Sequence, residues 1–108
     1  MGASRIEIFE QMLAGDPSNA TVLFGLAKEY EKAGDHAKLI DILERYLSTA
    51  DDEGNAYGML ARAYERTGRH DEAREIYRRG VEAATAHHHP GMAEEYRSLI
   101  EDEWEAQQ

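Results

Sequence analysis

The chain has 108 residues, 42% of them apolar and 31% charged, with a net charge of −10 and no cysteine. That length suits one core, and the apolar share suits a folded chain. The acidity argues against duplex nucleic acid or an anionic membrane as the main partner, since both call for a basic footprint; the missing thiols exclude disulfides, thiolate zinc sites and cysteine nucleophiles.

At the amino end Gly2 invites a myristoylation reading, but Ile6 stands where that motif requires Ser or Thr. No secretion signal is recognisable there, and no apolar run approaches the roughly 20 residues that span a bilayer, so a cytoplasmic protein is expected. Residues 4–15 carry Ile6, Ile8, Phe9, Met12 and Leu13 and read as one amphipathic helix, the second half of an incomplete repeat. Gly15-Asp16-Pro17 breaks it, and Ser18 or Asn19 is placed to cap the next helix.

Residues 18–50 form a first full unit of two helices. Leu23, Leu26, Ala27 and Tyr30 make the i, i+3, i+4, i+7 stripe of the first helix. Gly34 ends it where a left-handed residue is needed, and Asp35 caps the second, whose apolar face is Leu39, Ile42, Leu43, Tyr46 and Leu47. Residues 52–85 repeat the plan. Asp51-Asp52-Glu53 marks a helix start, because anions complement the amino-terminal dipole. Tyr57, Leu60, Ala61 and Tyr64 form the first stripe, Gly68 the break, and Ala73, Ile76, Tyr77, Gly80 and Val81 the second. A polar loop is expected from Thr85 to Gly91. Its three adjacent imidazoles, His87, His88 and His89, converge on one ion only if the loop is irregular, so no metal or other cofactor is expected. A last helix, 90–106, carries Met92, Tyr96, Leu99, Ile100 and Trp104 inward and Glu94, Glu95, Glu101, Asp102, Glu103 and Glu105 outward, as a terminal cap requires.

The units are self-similar. Leu26, Ala27, Tyr30, Glu31 and Gly34 recur as Leu60, Ala61, Tyr64, Glu65 and Gly68, each 34 positions later, and Lys28/Arg62 and Lys32/Arg66 keep their charge. His36 and His70 fall at equivalent turns and read as structural. With no strand-like alternation, about six helices stacked antiparallel are expected.

This pattern resembles the tetratricopeptide repeat over about residues 5–86. The likeness is carried by the period, the Leu-Ala-x-x-Tyr core, the glycine turn, Ala73, Tyr77 and Gly80, and the Asp16-Pro17 turn. It implies an all-α, right-handed solenoid of antiparallel helix pairs in a single domain, with Gly80 at a tight helix crossing. Leu39 and Tyr46 depart from it, standing where the family prefers small residues. The resemblance further implies a module that binds a peptide or helix of another protein in a concave groove lined by the first helix of each pair.

By helical spacing the groove residues are Thr21, Phe24, Lys28, Glu31 and Lys32 in the first unit and Asn55, Gly58, Met59, Arg62, Glu65 and Arg66 in the second. Lys28, Lys32, Arg62 and Arg66 form basic pairs suited to an acidic peptide or a terminal carboxylate. The competing reading is an ordinary solvated face: Lys32 and Arg66 sit in last turns, where cations suit the helix dipole, and Glu31 and Glu65 lie three residues from Lys28 and Arg62. Carboxylates are abundant but not paired in any recognisable acid–base arrangement, and there is no phosphate loop, so no enzyme is expected. The alternatives are a weak homodimer, with the acidic last helix on the basic strip, and a metal-dependent activity at the histidine loop.

Overall fold

The computed structural model describes residues 4–106, apart from the side chains of Glu103, Trp104 and Ala106. Gly2 and the side-chain placements expected for Trp104 and Glu103 lie outside the described residues. The described residues form six helices: α1 (Arg5–Gly15), α2 (Ala20–Ala33), α3 (His36–Thr49), α4 (Asn55–Arg66), α5 (His70–Ala86) and α6 (Pro90–Ala106). No strand occurs among the described residues, so the all-helical expectation holds. Helices α1–α3 make one compact unit and α4–α6 a second, the division falling after Ala50, between the two repeats read from the sequence.

In the first unit, each helix starts on a side-chain cap. Ser4 Oγ accepts from the Glu7 N–H (3.1 Å), Asn19 Oδ1 from the Val22 N–H (3.1 Å) and Asp35 Oδ1 from the Lys38 N–H (3.1 Å). These caps satisfy donors that the helix itself leaves without partners. Asn19 also donates from Nδ2 to Asp16 Oδ2 (3.3 Å), which makes it, rather than Ser18, the residue that closes the Asp16-Pro17 turn. Asn19→Ala is expected to cost about 1 kcal/mol of stability, measured by urea unfolding. Gly34 is left-handed at φ 72° and lets the Asp35 N–H reach back to the Tyr30 carbonyl (3.1 Å), so α3 turns back along α2 after a two-residue break. Arg45, near the far end of α3, accordingly donates to the Pro17 carbonyl (3.3 Å). The buried residues are Leu13 from α1; Val22, Leu23, Leu26, Ala27 and Tyr30 from α2; and Leu39, Ile40, Ile42, Leu43 and Leu47 from α3. Gly25 lets the Phe9 ring lie close on α2: a Cβ there would stand 3.0 Å from Phe9 Cζ.

The second unit begins on Asp52, whose Oδ2 accepts from the N–H groups of Gly54 (2.8 Å) and Ala56 (2.9 Å). The acidic run before α4 is thus a specific cap as well as a favourable charge. At the far end of α4 the left-handed Gly68 (φ 78°) lets the Arg69 N–H reach the Tyr64 carbonyl (2.8 Å), the same closure as at Gly34 and again 34 residues on. Helix α5 continues to Ala86, so the expected polar loop shrinks to His87–His89. The reason lies in its ending. His88 takes the left-handed place (φ 64°), and the His89 N–H returns to the Ala84 carbonyl (2.8 Å). This is the closure used at both glycines, made without one, so no longer loop is needed to reverse the chain.

Candidate functional site

The surfaces singled out by the repeat spacing lie on α2 and α4. On α2, Thr21, Lys28, Glu31 and Lys32 are exposed and Phe24 is half-buried. Phe24 is held by Tyr46 of α3, with ring centroids 5.1 Å apart and planes tilted by 39°. The bulky residue that departs from the repeat pattern therefore serves as a backing for Phe24. Lys28 Nζ stands 5.2 Å from the centre of the Phe24 ring, attracted by its π face. Lys32 instead pairs with Glu29 (3.4 Å), which also takes Arg5 of α1 (3.1 Å). The ion pair anticipated between Lys28 and Glu31 is not the one formed at this end of α2. Lys28 is instead an ammonium standing over an aromatic ring at the surface.

On α4, Asn55, Arg62 and Arg66 are exposed, whereas Met59 is only 8% exposed and Gly58 is buried. Met59 was expected on the open face and instead belongs to the core. Helix α4 is buried on more than one side, because Ala56, Gly58, Ala61 and Ala63 are small enough to admit close neighbours there. The middle of its presumed open face is covered by α6: a Cβ on Gly58 would stand 2.5 Å from Tyr96 Oη. Tyr96 donates to the Gly54 carbonyl (2.8 Å), and its ring meets Tyr77 at 5.6 Å. Burial holds the Tyr96 hydroxyl above its ordinary pKa, while the positive charge of Arg62 pulls the other way. Glu65 is half-buried and accepts from the Tyr77 hydroxyl, so it faces α5 more than solvent. What remains open on α4 is Asn55 near its start and Arg62 and Arg66 towards its end.

Two surface hollows that the spacing did not reveal lie elsewhere in the second unit. One, of about 480 Å³, is lined by Thr85, His88, His89, Pro90, Ala93 and Arg97; the other, of about 440 Å³, by Arg74, Arg78, Ile100 and Glu101. Both depend on how α6 packs on α5, which periodicity within one helix does not show. Among the described residues no group of three or more His, Asp or Glu is disposed to hold a metal ion. None of the described helices is long and apolar enough to cross a membrane.

A tetratricopeptide-repeat family model covers residues 32–93, more than half of the chain, from the end of α2 through α3, α4 and α5 to the start of α6. Helix α1 and most of α2 lie before the matched residues, and there the likeness rests on the register that α2 shares with α4. No curated protein matches the chain.

Proposed function

The chain belongs to the tetratricopeptide-repeat family, and from that premise we propose that it binds acidic segments of other proteins through the open face of α2 in the first unit and that of α4 in the second. Repeats of this family mediate contacts between proteins. The observation that carries the finer reading is the placement of exposed cations on a chain of net charge −10: Lys28 above Phe24 on α2, and Arg62 and Arg66 on α4. Phe24 supplies a half-buried apolar contact and Asn55 a directional amide. Thr21 and Lys32 extend the α2 face, while Met59 contributes packing beneath the α4 face rather than contact. In this reading the protein catalyses nothing, takes no cofactor, binds neither nucleic acid nor membrane, and works in the cytoplasm.

The test is fluorescence anisotropy with a labelled peptide of alternating glutamate and leucine that ends in a free carboxylate. Charge reversal at Lys28 and Arg62 together is expected to weaken binding roughly tenfold, because each exposed charge contributes about 0.5–1 kcal/mol. Raising the salt should weaken wild-type binding and leave the reversed variant little changed. Equal affinity of the two proteins would remove the basic faces from the account.

A second reading is favoured by the exposed carboxylates of α6. Glu94, Glu95, Glu101, Asp102 and Glu105 give a second copy an acidic face to lay on Lys28 of the first unit or on Arg62 and Arg66 of the second. Sedimentation at low and high salt separates the two: a dimer that dissociates in salt supports self-association, and a monomer throughout removes it.

A further inference from the structure

The histidine turn is unused in the reading above, and it makes contacts that the sequence did not disclose. His87 Nε2 lies 3.1 Å from Asp51 Oδ1, and its Nδ1 lies 4.0 Å from Glu53 Oε1. His89 Nε2 lies 3.6 Å from the same Glu53 oxygen. The two ends of one imidazole therefore face two different carboxylates. A neutral ring carries one N–H and turns a lone pair towards the second carboxylate; only the imidazolium has a donor for each. We propose that the α5–α6 turn and the segment before α4 form a proton-operated clamp, in which protonated His87 grips Asp51 and Glu53 and the neutral ring releases residues 51–53.

Every element around His87 bears on this. The segment before α4 presents Asp51, Asp52 and Glu53, all negative. Helix α5 ends on His87, so its dipole favours a cation at that position. On the α6 side the nearby groups are His88, His89 and Arg97, which line the hollow at the turn; Arg97 is compensated by Glu94 at 3.3 Å. The carboxylates dominate. His87 is held above the ordinary histidine range, first by its hydrogen bond to Asp51; partial burial opposes this, and the charges of Asp51, Glu53 and Asp52 add to the rise.

Because the folded value is raised, the clamp's contribution is fully present below the pH at which an unfolded histidine titrates. It fades as the pH rises through the folded value. Release is local. Tyr96 still holds the Gly54 carbonyl, so residues 51–53, with the Asp52 cap, loosen without unfolding the unit. The device stands whether or not α2 and α4 hold a peptide.

Two measurements on the full chain test it. In a histidine-resolved NMR titration, Asp51→Asn is expected to lower the midpoint of His87. In hydrogen exchange corrected for intrinsic rates, the Gly54 and Ala56 amides, which donate to Asp52, should be protected roughly threefold more at pH 6 than at pH 8.5. His87→Gln, which keeps a polar side chain in the turn, should abolish that ratio while leaving the protection of α5 unchanged. A His87 midpoint that ignores Asp51→Asn, or a ratio near one in the wild type, overturns the clamp. So does a ratio that survives His87→Gln, since the pH effect would then belong to other groups.

Discussion

Tyr96→Ala is expected to lower the stability of the second unit by about 3–5 kcal/mol, and Tyr96→Phe by about 1–3 kcal/mol. The two figures come from different atoms. Alanine removes a ring that is only 4% exposed, packed between Gly58 of α4 and Gly80 of α5 and tilted on Tyr77. Truncation to alanine leaves much of that volume as a cavity. Phenylalanine keeps the ring and removes only the hydroxyl, which leaves the buried Gly54 carbonyl with only the long bond from the Gly58 N–H (3.4 Å). Whole domains are stable by about 5–15 kcal/mol, so the alanine variant should show a visibly unfolded fraction in dilute urea. Urea unfolding followed by circular dichroism measures both variants. A loss below about 1 kcal/mol for Tyr96→Ala would mean that the ring is not what joins α6 to α4 and α5.

Tyr96 also marks the limit of what the sequence could show. Its place on the inward face of the last helix was readable from the spacing of Met92, Tyr96, Leu99 and Ile100. That spacing gives the rotation of a residue about its own helix, and says nothing of which atoms across the way its tip will meet. The hydroxyl's reach to Gly54, and the cover it puts over Gly58, follow from how closely α6 approaches α4. The same limit explains Met59. A groove face drawn opposite the buried stripe assumes a helix with one buried side, and the small residues of α4 allow more than one. Caps and turns were legible because they are local: Asn19, Asp35, Gly34 and Gly68 each act on backbone groups within five residues. The histidine run failed as a sequence signal for the opposite reason. Its partners, Asp51 and Glu53, lie more than thirty positions earlier and had been read only as a helix start. Tyr46 was read as a misfit against the repeat, and only the folded pair shows that it backs Phe24.

Gly80→Ala should cost about 1–3 kcal/mol, and Gly15→Ala should add up to about 1 kcal/mol, although the chemical change is the same. Both glycines are helical, and alanine in a helix restricts the unfolded chain and improves propensity by about 1 kcal/mol. At Gly15 nothing lies within 4 Å of the new methyl and the backbone is not left-handed, so that gain is kept. At Gly80 the methyl would stand 2.8 Å from Tyr96 Cδ2, 2.9 Å from Tyr96 Cε2 and 3.0 Å from Tyr57 Cβ. None of these is the loose end of a flexible chain. The Tyr96 ring is anchored at its far end by the Gly54 carbonyl, and Tyr57 Cβ moves only with α4 itself. The methyl must therefore push α4 or α6 away from α5, and the lost packing exceeds the propensity gain. The tyrosine's share can be isolated with a double-mutant cycle by urea unfolding. If the ring is the main obstacle, Gly80→Ala should cost about 1–2 kcal/mol less in the Tyr96→Ala background than in the wild type. Additive effects would instead place the whole obstacle at Tyr57, and the crossing of α4 on α5 alone would account for the glycine.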